Sequence, residues 1–197
     1  MSPRTKAQFE EIRDSRKKQI MATALDLFSL EGYGHVSISR LAEATGISKG
    51  LMYNYFDSKE MLLQSLVHDG LEKISGVFDP NQDGVLSGEE FEFFIRRTFQ
   101  LIRENQEYWS KFFGLILQPN VSSHLRNNPV VTFIEDYMNI LYAYLEKKGF
   151  DDPMLELLQL SAIIEGLGVL MLYSRGYMTL PEDTLEKFEN RIINMYK

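Results

Sequence analysis

Apolar residues recur along most of the chain at intervals of three and four, the spacing of amphipathic helices, and the two-residue alternation of strands is nearly absent. This pattern predicts an all-α fold. The first predicted helix begins between residues 8 and 16 and ends near residue 30, where glycines interrupt the pattern. Its predicted apolar face consists of Ile20, Ala24, Leu27 and Phe28.

Two short helices separated by a tight turn follow the first helix. Ser37 and Ser48 precede them as N-cap residues, and Gly46 in the turn suits the left-handed conformation that often ends a helix. The run 57–60 then has the form of a capping box and opens a longer helix. These elements predict an N-terminal three-helix helix-turn-helix domain over residues 1–60.

The rest of the chain, residues 61–197, is predicted to form a larger helical domain. Its later helices are expected at 87–105, 106–117, 130–148, 153–175 and 181–196. The most apolar stretch, 155–173, is interrupted by Gln159 and Glu165, so it indicates a buried helix and not a membrane span. The N-terminal segment is polar and resembles no secretory signal, which predicts a cytoplasmic protein.

Composition and missing motifs restrict the function classes. The chain has 197 residues, of which 44% are hydrophobic and 25% charged, as in globular proteins. It has no cysteine, which excludes disulfides, Cys-ligated metal sites and thiol nucleophiles. The three histidines are scattered, and no phosphate-loop or dinucleotide motif is present. We therefore expect neither enzymatic activity nor a required cofactor.

The second short helix, residues 49–55, has the features of a DNA-reading helix. Leu51 and Phe56 are expected to pack inward. The residues left outward are Lys49, Gly50, Tyr53 and Asn54. A capped, basic helix with a small residue for close approach and hydrogen-bonding side chains suits the major groove of DNA.

Contacts with the DNA backbone are expected around this helix. Tyr53 and Lys59 are residue types that bind phosphates, and the helix N-termini at Ser37 and Ser58 offer free N–H groups. The full set of predicted DNA-binding residues is Ser37, Ser48, Lys49, Gly50, Tyr53, Asn54, Tyr55 and Lys59.

This part of the chain resembles the DNA-binding domain of TetR-family transcription regulators over about residues 17–63. The residues that carry the resemblance include Gly46-Ile47-Ser48-Lys49-Gly50, Tyr53, Tyr55-Phe56 and Ser58-Lys59-Glu60. Thr45 and Met52 depart mildly from the family pattern, where alanine and leucine are commoner. The resemblance implies a dimeric regulator, mostly a repressor, that binds double-stranded DNA at a palindromic operator. It also implies a helical C-terminal domain with a small-molecule pocket.

Two amphipathic faces near the C-terminus fit the dimer that the resemblance implies. They consist of Leu155, Leu158, Ile163, Leu167 and Leu170 on one helix and of Leu185, Phe188, Ile192 and Met195 on the next. With the resemblance, we interpret them as the interface of a homodimer, while packing within one chain is the alternative.

Residues 79–90 fit the twelve-residue EF-hand loop that binds calcium. The predicted metal ligands are Asp79, Asn81, Asp83, the carbonyl of Val85, Ser87 and Glu90. Gly84 supplies the sharp turn at the sixth position, and Leu86 the apolar residue at the eighth. The loop predicts a Ca²⁺ site that could modulate DNA binding.

The same loop also has an interpretation that needs no metal. Its residue types are common in turns, and Ser87 followed by Glu90 is a capping box for the next helix. EF-hand loops usually work in pairs, and the chain has no second one. Two functions stay open: a DNA-binding regulator to which the loop is an addition, or a calcium-binding sensor that acts through protein contacts.

Eight aromatic residues lie between residues 91 and 113. Most are expected in the core, but some are predicted to line an apolar effector pocket. The predicted pocket residues are Trp109, Phe113 and Tyr137, and the expected ligand is a small apolar or aromatic effector.

The net charge of −7 is unevenly distributed. Residues 1–60 carry nine Lys and Arg against eight Asp and Glu, a net +1, whereas residues 61–197 carry 12 against 20, a net −8. The acidity therefore belongs to the C-terminal part, and it does not oppose DNA binding by the N-terminal part.

Overall fold

The computed structural model describes residues 5–125, 129–173 and 181–197, which are helical with no strand. In this part of the chain the helices are α1 (Lys6–Leu27), α2 (Ile38–Ala44), α3 (Lys49–Tyr53), α4 (Lys59–Phe78), α5 (Gly88–Glu104), α6 (Gln106–Ile116), α7 (Pro119–Leu125), α8 (Pro129–Lys148), α9 (Pro153–Tyr173) and α10 (Glu182–Tyr196). The all-α prediction is confirmed, with an N-terminal helix-turn-helix domain and a C-terminal helical domain. The start of the predicted domain 1–60, up to residue 4, lies outside the described residues, as does the predicted helix end at 174–175.

Two compact units divide the chain. Unit 1 comprises Met1–Asp69 and Gly114–Asn128, and unit 2 comprises Gly70–Phe113 and Pro129–Lys197. This division differs from the expected boundary at residue 60, because a segment distant in sequence packs with the N-terminal residues.

The core of unit 1 is built on α1. Thr5 and Gln8 form a capping box at the start of this helix. Ile20, Ala24 and Phe28 are fully buried, as the spacing of apolar residues predicts. The helix passes into a π-helical turn, Phe28–Gly32.

Local capping defines the two short helices as predicted. The Oγ atoms of Ser37 and Ser48 accept the backbone N–H groups of Arg40 and Leu51 at 3.2 and 3.1 Å. Gly46 adopts the expected left-handed φ of +67°. These contacts fix the turn between α2 and α3.

The start of α4 differs from the predicted capping box. Ser58, not Asp57, caps the helix, because its Oγ accepts the N–H of Met61 at 3.1 Å. Glu60 therefore lies inside the first turn, where the pKa of its carboxyl is lowered by its own backbone N–H and by Ser58, against the opposing effect of burial.

Helix α7 was not predicted, because Pro119 was interpreted as part of a break. Proline is well tolerated in the first turn of a helix, and Pro119 begins this one. Gln118, just before α7, contacts the π-helical turn after α1. The segment that carries α7 thereby belongs to unit 1.

The core of unit 2 is organised around α5. The buried face of α5 consists of Phe91, Phe94, Ile95, Thr98, Phe99 and Ile102. Phe91 stacks on Tyr144 of α8 with ring centroids 5.1 Å apart. Gly70 is required by close packing, since a Cβ atom there would lie 2.1 Å from the ring of Phe112. Arg103 forms an ion pair with the buried Glu189 of α10.

One described helix, Pro153–Leu172 within α9, is long and apolar enough to cross a membrane by length and composition, and 28% of it is buried. The expectation of a buried helix is therefore only partly met. The exposed apolar residues of α9 and α10 include Met154, Leu155, Leu158, Leu170, Phe188 and Met195. In contrast, Leu167, Leu185 and Ile192 pack inside unit 2.

Candidate functional site

The exposed surface of α3 carries the predicted DNA-reading side chains. Lys49, Gly50 and Asn54 are exposed, and Tyr53 is 43% exposed. No atom lies within 4 Å of the position that a Cβ of Gly50 would take, apart from its local backbone. Another backbone could therefore approach α3 closely at this point.

The inward-facing residue of α3 is Met52 and not Leu51. Met52 is fully buried, whereas Leu51 is 40% exposed, which corrects the prediction that Leu51 packs inward. Met52 is the buried residue of this five-residue helix, so its neighbour Leu51 lies on another face. Leu51 joins the exposed surface, where its side chain suits contact with a thymine methyl group.

Lys59 has a different environment from the one predicted. Its ammonium donates to the carbonyl oxygens of Tyr33 and Val36 at 2.9 and 3.1 Å. It also lies 4.3 Å from the ring centroid of Tyr33. Lys59 therefore joins the start of α4 to the turn before α2, and its contact with a phosphate stays a prediction.

Two basic residues of α1 contact the C-terminal end of the reading helix and the segment that follows it, and local sequence patterns do not predict either contact. Arg13 donates to the carbonyl oxygen of Asn54, which caps the C-terminus of α3, at 3.3 Å. The ammonium of Lys17 lies 5.4 Å from the ring centroid of Phe56. A cation at a helix C-terminus is electrostatically favourable, so both residues help to hold α3 in place.

The remaining predicted DNA-binding residues are located on the same domain. Ser37 and Ser48 are exposed and use their hydroxyl oxygens as caps, while Tyr55 is half-buried. The structure therefore groups Ser48, Lys49, Gly50, Tyr53 and Asn54 along one short segment.

A second set of contacts fixes the turn between α1 and α2. The N–H of Tyr33 donates to Oε1 of Gln118 at 2.8 Å, and Nε2 of Gln118 donates to the carbonyl of Phe28 at 2.8 Å. The Tyr33 ring packs edge-on against His124 of α7 at 5.1 Å. Burial and the nearby Glu60 carboxylate raise the pKa of Tyr33 to about 12.

The loop 79–90 has an ordered backbone organised by its own side chains. The carboxylate of Asp79 accepts the N–H groups of Asp83 and Gly84 at 3.3 and 2.9 Å. Asp83 accepts the N–H of Val85 at 2.8 Å, and Gly84 has a left-handed φ of +73°. Leu86 is buried, as expected for the eighth position of an EF-hand loop.

The last predicted calcium ligand takes part in a helix cap. The carboxylate of Glu90 accepts the N–H of Ser87 at 2.8 Å, and Oγ of Ser87 accepts the N–H of Glu90 at 3.2 Å. This is the capping box of the metal-free interpretation. Within the described residues, no three His, Cys, Asp or Glu side chains are grouped closely enough to hold a metal ion. The Ca²⁺ site at Asp79, Asn81, Asp83, Val85, Ser87 and Glu90 stays a prediction.

A cleft of about 310 Å³ lies in unit 2 at the end of α4. Its walls come from α4, the loop that follows and α8, and include Phe78, Asp79, Phe133, Asp136 and Tyr137. Burial raises the pKa of Tyr137, whose ring lies 4.0 Å from that of Phe78.

Of the three predicted pocket residues, Tyr137 lines this cleft, whereas Trp109 and Phe113 are not part of its wall. Trp109 is buried, and its indole N–H donates to the carbonyl of Leu101 at 3.0 Å. Its ring packs against those of Phe112 and Phe113 at 5.6 and 6.2 Å. These two residues therefore form an aromatic cluster between α5 and α6.

The sequence of the helix-turn-helix segment matches a known family. Residues 20–66 fit the family model described as bacterial regulatory proteins, tetR family. This likeness covers the helix-turn-helix segment of the chain. The HTH-type transcriptional regulator YuxN of Bacillus subtilis is 27% identical over 195 residues, which covers 92% of this chain and 63% of YuxN. The chain thus spans less than two thirds of that relative.

Another relative and a solved structure, both of transcriptional regulators, are also similar to this chain. The biofilm operon icaADBC negative transcriptional regulator IcaR of Staphylococcus aureus is 24% identical over 149 residues, covering 66% of this chain and 80% of IcaR. The structure of the regulator FadR from Bacillus subtilis, in complex with stearoyl-CoA, has a TM-score of 0.67 at 18% identity and covers 91% of this chain and 96% of FadR. At this identity the likeness establishes the TetR-type fold.

Proposed function

We propose that this protein is a sequence-specific DNA-binding transcription regulator that acts as a repressor and not as an enzyme. The observation that carries the proposal is the exposed segment of α3, in which Lys49, Gly50 and Tyr53 face outward from a capped helix-turn-helix. The match of residues 20–66 to the tetR family supports the same function. IcaR, named as a negative regulator, supports repression. Because its target is chromosomal DNA, the protein acts in the cytoplasm.

The regulator is proposed to work as a homodimer on a palindromic operator. Leu155, Leu158 and Leu170 of α9, together with Phe188 and Met195 of α10, expose apolar side chains that a second copy would cover. A two-fold dimer presents two α3 helices to two half-sites, and the paired contacts compensate for the modest net charge of +1 of residues 1–60.

A gel-shift titration with the DNA upstream of the protein's own gene tests this function. The double variant Lys49→Ala, Tyr53→Ala is expected to lose specific binding, because it removes a charge and a hydrogen-bonding group from the exposed face of α3. Lys147→Ala, at an exposed position of α8, is the matched control and should bind as the wild type does. Retained binding by the double variant would contradict the assignment of α3.

Release of DNA by a small apolar or aromatic effector is the second part of the proposal. The support is the cleft at the end of α4, with Tyr137 in its wall, and the TetR-type neighbour FadR, which was solved with stearoyl-CoA. Effector binding shifts the equilibrium between the DNA-binding state and the released state only if the two states differ in affinity for that effector. Loss of the gel-shift on adding a ligand that binds the cleft tests this part.

Calcium binding by the loop 79–90 is a separate proposal, favoured by the left-handed φ of Gly84 and by the turn that Asp79 organises. For Ca²⁺ to gain a bidentate ligand at the twelfth position, the Glu90 carboxylate has to exchange the hydrogen bond from the Ser87 N–H for the metal. Calorimetric titration of Ca²⁺ into chelator-treated protein tests it, with Glu90→Gln as the weakened variant. A heat signal equal in both proteins would contradict the site.

The gel-shift also distinguishes two functions for a loop that binds Ca²⁺. In one, Ca²⁺ modulates DNA binding, and in the other the protein is a calcium sensor that acts through protein contacts. Binding that changes between Ca²⁺ and chelator supports a calcium-modulated regulator. Binding that is unchanged would remove the modulation of DNA binding by Ca²⁺. A protein that binds Ca²⁺ and no DNA would support the sensor.

A further inference from the structure

The cleft at the end of α4 combines aromatic walls with uncompensated negative charge. We propose that this cleft binds an organic cation with an apolar or aromatic body, and that it rejects anions of the same shape. This inference rests on the proposed function, because it names the ligand class of the proposed effector site.

The apolar part of the cleft is formed by aromatic rings. The half-buried side chains of Phe133, Tyr137 and Ile140 line it, and the buried ring of Phe78 packs behind Tyr137 with ring centroids 4.0 Å apart. The faces of aromatic rings carry partial negative charge, so they attract a cation and also pack against an apolar body. A neutral hydrocarbon would gain only the second contribution.

The polar part of the cleft is acidic. Asp79 and Asp136 line it, and none of its lining residues is Lys, Arg or His. Neither carboxylate forms an ion pair within the described part of the chain. Asp79 accepts two backbone N–H groups, which orient the carboxylate but leave its charge uncompensated by a cation. A positively charged ligand would supply that compensation.

The end of α4 adds a third source of negative potential. Ser75, Gly76 and Phe78 lie in the last turn of this 20-residue helix and line the cleft. The C-terminus of a helix carries a partial negative charge from carbonyls without helical partners. An anionic headgroup would therefore meet the helix terminus and two carboxylates, with no basic residue to bind it.

The hydroxyl of Tyr137 provides a polar contact for orientation. No hydrogen bond of this hydroxyl is found within the described residues, and the side chain is half-buried. A phenol with the ordinary pKa near 10 is already neutral at physiological pH, and burial raises the pKa of Tyr137 further. It can thus accept a hydrogen bond from an ammonium or amidinium group without adding charge.

The test uses two probes of the same shape and opposite charge, tetraphenylphosphonium and tetraphenylborate. Each is titrated calorimetrically into the full-length protein in chelator, so that Ca²⁺ does not compete for Asp79. Tetraphenylphosphonium is expected to bind at least about tenfold more tightly than tetraphenylborate, because attraction replaces repulsion at two carboxylates. Equal binding of the two probes, or tighter binding of the anion, would overturn the proposal.

Two variants locate the binding in the cleft. Asp136→Asn keeps the size of the side chain and is expected to weaken tetraphenylphosphonium binding about fivefold, the effect of one charge about 4 Å away in water. Asp151→Asn, the same change at an exposed position outside the cleft, should have no effect. An equal loss in both variants would mean a general charge effect and would overturn the site.

Gly76→Leu is the filling variant. Gly76 lines the cleft, and a Cβ there would meet no neighbouring atom within 4 Å, so the position accepts a side chain, and leucine favours the helix. Thermal unfolding should show a fold at least as stable, while tetraphenylphosphonium binding is lost. A well-folded Gly76→Leu protein that still binds the cation would place it elsewhere.

The gel-shift separates this inference from the proposed function. DNA binding with no binding of tetraphenylphosphonium would overturn the cation site and leave the regulator intact. Cation binding without binding of DNA from any upstream fragment would overturn the regulator and leave the site. Tight binding of palmitoyl-CoA that Asp136→Asn does not strengthen would also contradict the assigned ligand class.

Discussion

Gln118 accepts the backbone N–H of Tyr33 across 85 positions of the chain, at 2.8 Å. The amide nitrogen of the same side chain donates to the carbonyls of Phe28 and Gly114 at 2.8 and 3.2 Å. One glutamine therefore satisfies backbone groups on the π-helical turn after α1 and on α6. This turn is followed directly by α2, so Gln118 helps to set the start of the helix-turn-helix.

Replacing Gln118 with alanine is expected to destabilise unit 1. The change leaves the N–H of Tyr33 and the carbonyl of Phe28 without their partner, and an unsatisfied buried group costs about 1–3 kcal/mol. Urea unfolding should show the lower free energy of unfolding, and the gel-shift should show weaker DNA binding. Gln100→Ala is the control, because Gln100 is exposed and bonds only the neighbouring Glu104. Equal effects of the two changes would contradict the role of Gln118.

Tyr33→Phe is expected to leave the stability near neutral pH within about 1 kcal/mol of the wild type. The hydroxyl of Tyr33 is buried without a hydrogen-bond partner among the described residues, so its removal breaks no bond. The ring contacts with Phe28, His124 and Lys59 are retained. Chemical unfolding at pH 7 measures this difference, and a loss of several kcal/mol would show that the hydroxyl has a partner.

The stability of Tyr33→Phe should differ from that of the wild type in alkaline solution. The pKa of Tyr33 is raised to about 12 in the folded protein, against about 10 in an unfolded chain. Folding therefore favours the neutral phenol, and this contribution is complete below pH 10 and is lost as the pH rises toward 12. Unfolding midpoints between pH 9 and pH 11.5 should fall more steeply for the wild type than for Tyr33→Phe. Parallel curves would contradict the raised pKa.

Alanine at Gly46 and at Gly50 should have opposite effects on stability. Gly46 has a left-handed φ of +67°, where a Cβ costs about 1–2 kcal/mol, so Gly46→Ala is expected to destabilise the protein. Gly50 lies inside α3 with open space beside it, and Gly50→Ala should stabilise the helix by up to about 1 kcal/mol. Thermal unfolding checks both signs.

DNA binding provides a second test of Gly50→Ala. Gly50→Ala adds a methyl group to the exposed face of α3 and should weaken DNA binding although the protein is more stable. Unchanged affinity in the gel-shift would show that DNA does not approach α3 closely at Gly50.

Removing Arg103 from its ion pair with Glu189 should lower the free energy of unfolding more than neutralising Glu189 does. Glu189 is buried, whereas Arg103 is 32% exposed in its side chain. Arg103→Met leaves a buried carboxylate without a partner and is expected to cost about 3 kcal/mol. Glu189→Gln leaves a cation that solvent can reach and should cost about 1 kcal/mol. Urea unfolding of both variants tests the order, and a larger loss in Glu189→Gln would reverse it.

The sequence is sufficient to predict the helices of the described residues other than α7, and most of their ends. Ile20, Ala24 and Phe28 repeat at helical spacing and are buried, and Ser37 and Ser48 cap the helices that follow them. These features depend on contacts within one or two turns, so local residue order specifies them. Ser58 was mistaken for part of a cap that began at Asp57, since both residue types suit that position.

Tertiary packing decided which of these side chains are exposed and which are buried or bonded to other parts of the chain. Met52 and not Leu51 is buried, and the ammonium of Lys59 binds two carbonyl groups that its sequence neighbours do not predict. Arg13 reaches Asn54 across 41 positions, and Gln118 reaches Tyr33 across 85. Periodicity predicts which face of a helix is apolar, and caps predict where the helix ends. Contacts between residues far apart in the sequence depend instead on which helices pack together. The short range of helical hydrogen bonding therefore made the secondary structure predictable, and long-range packing determined how the DNA-reading helix is held.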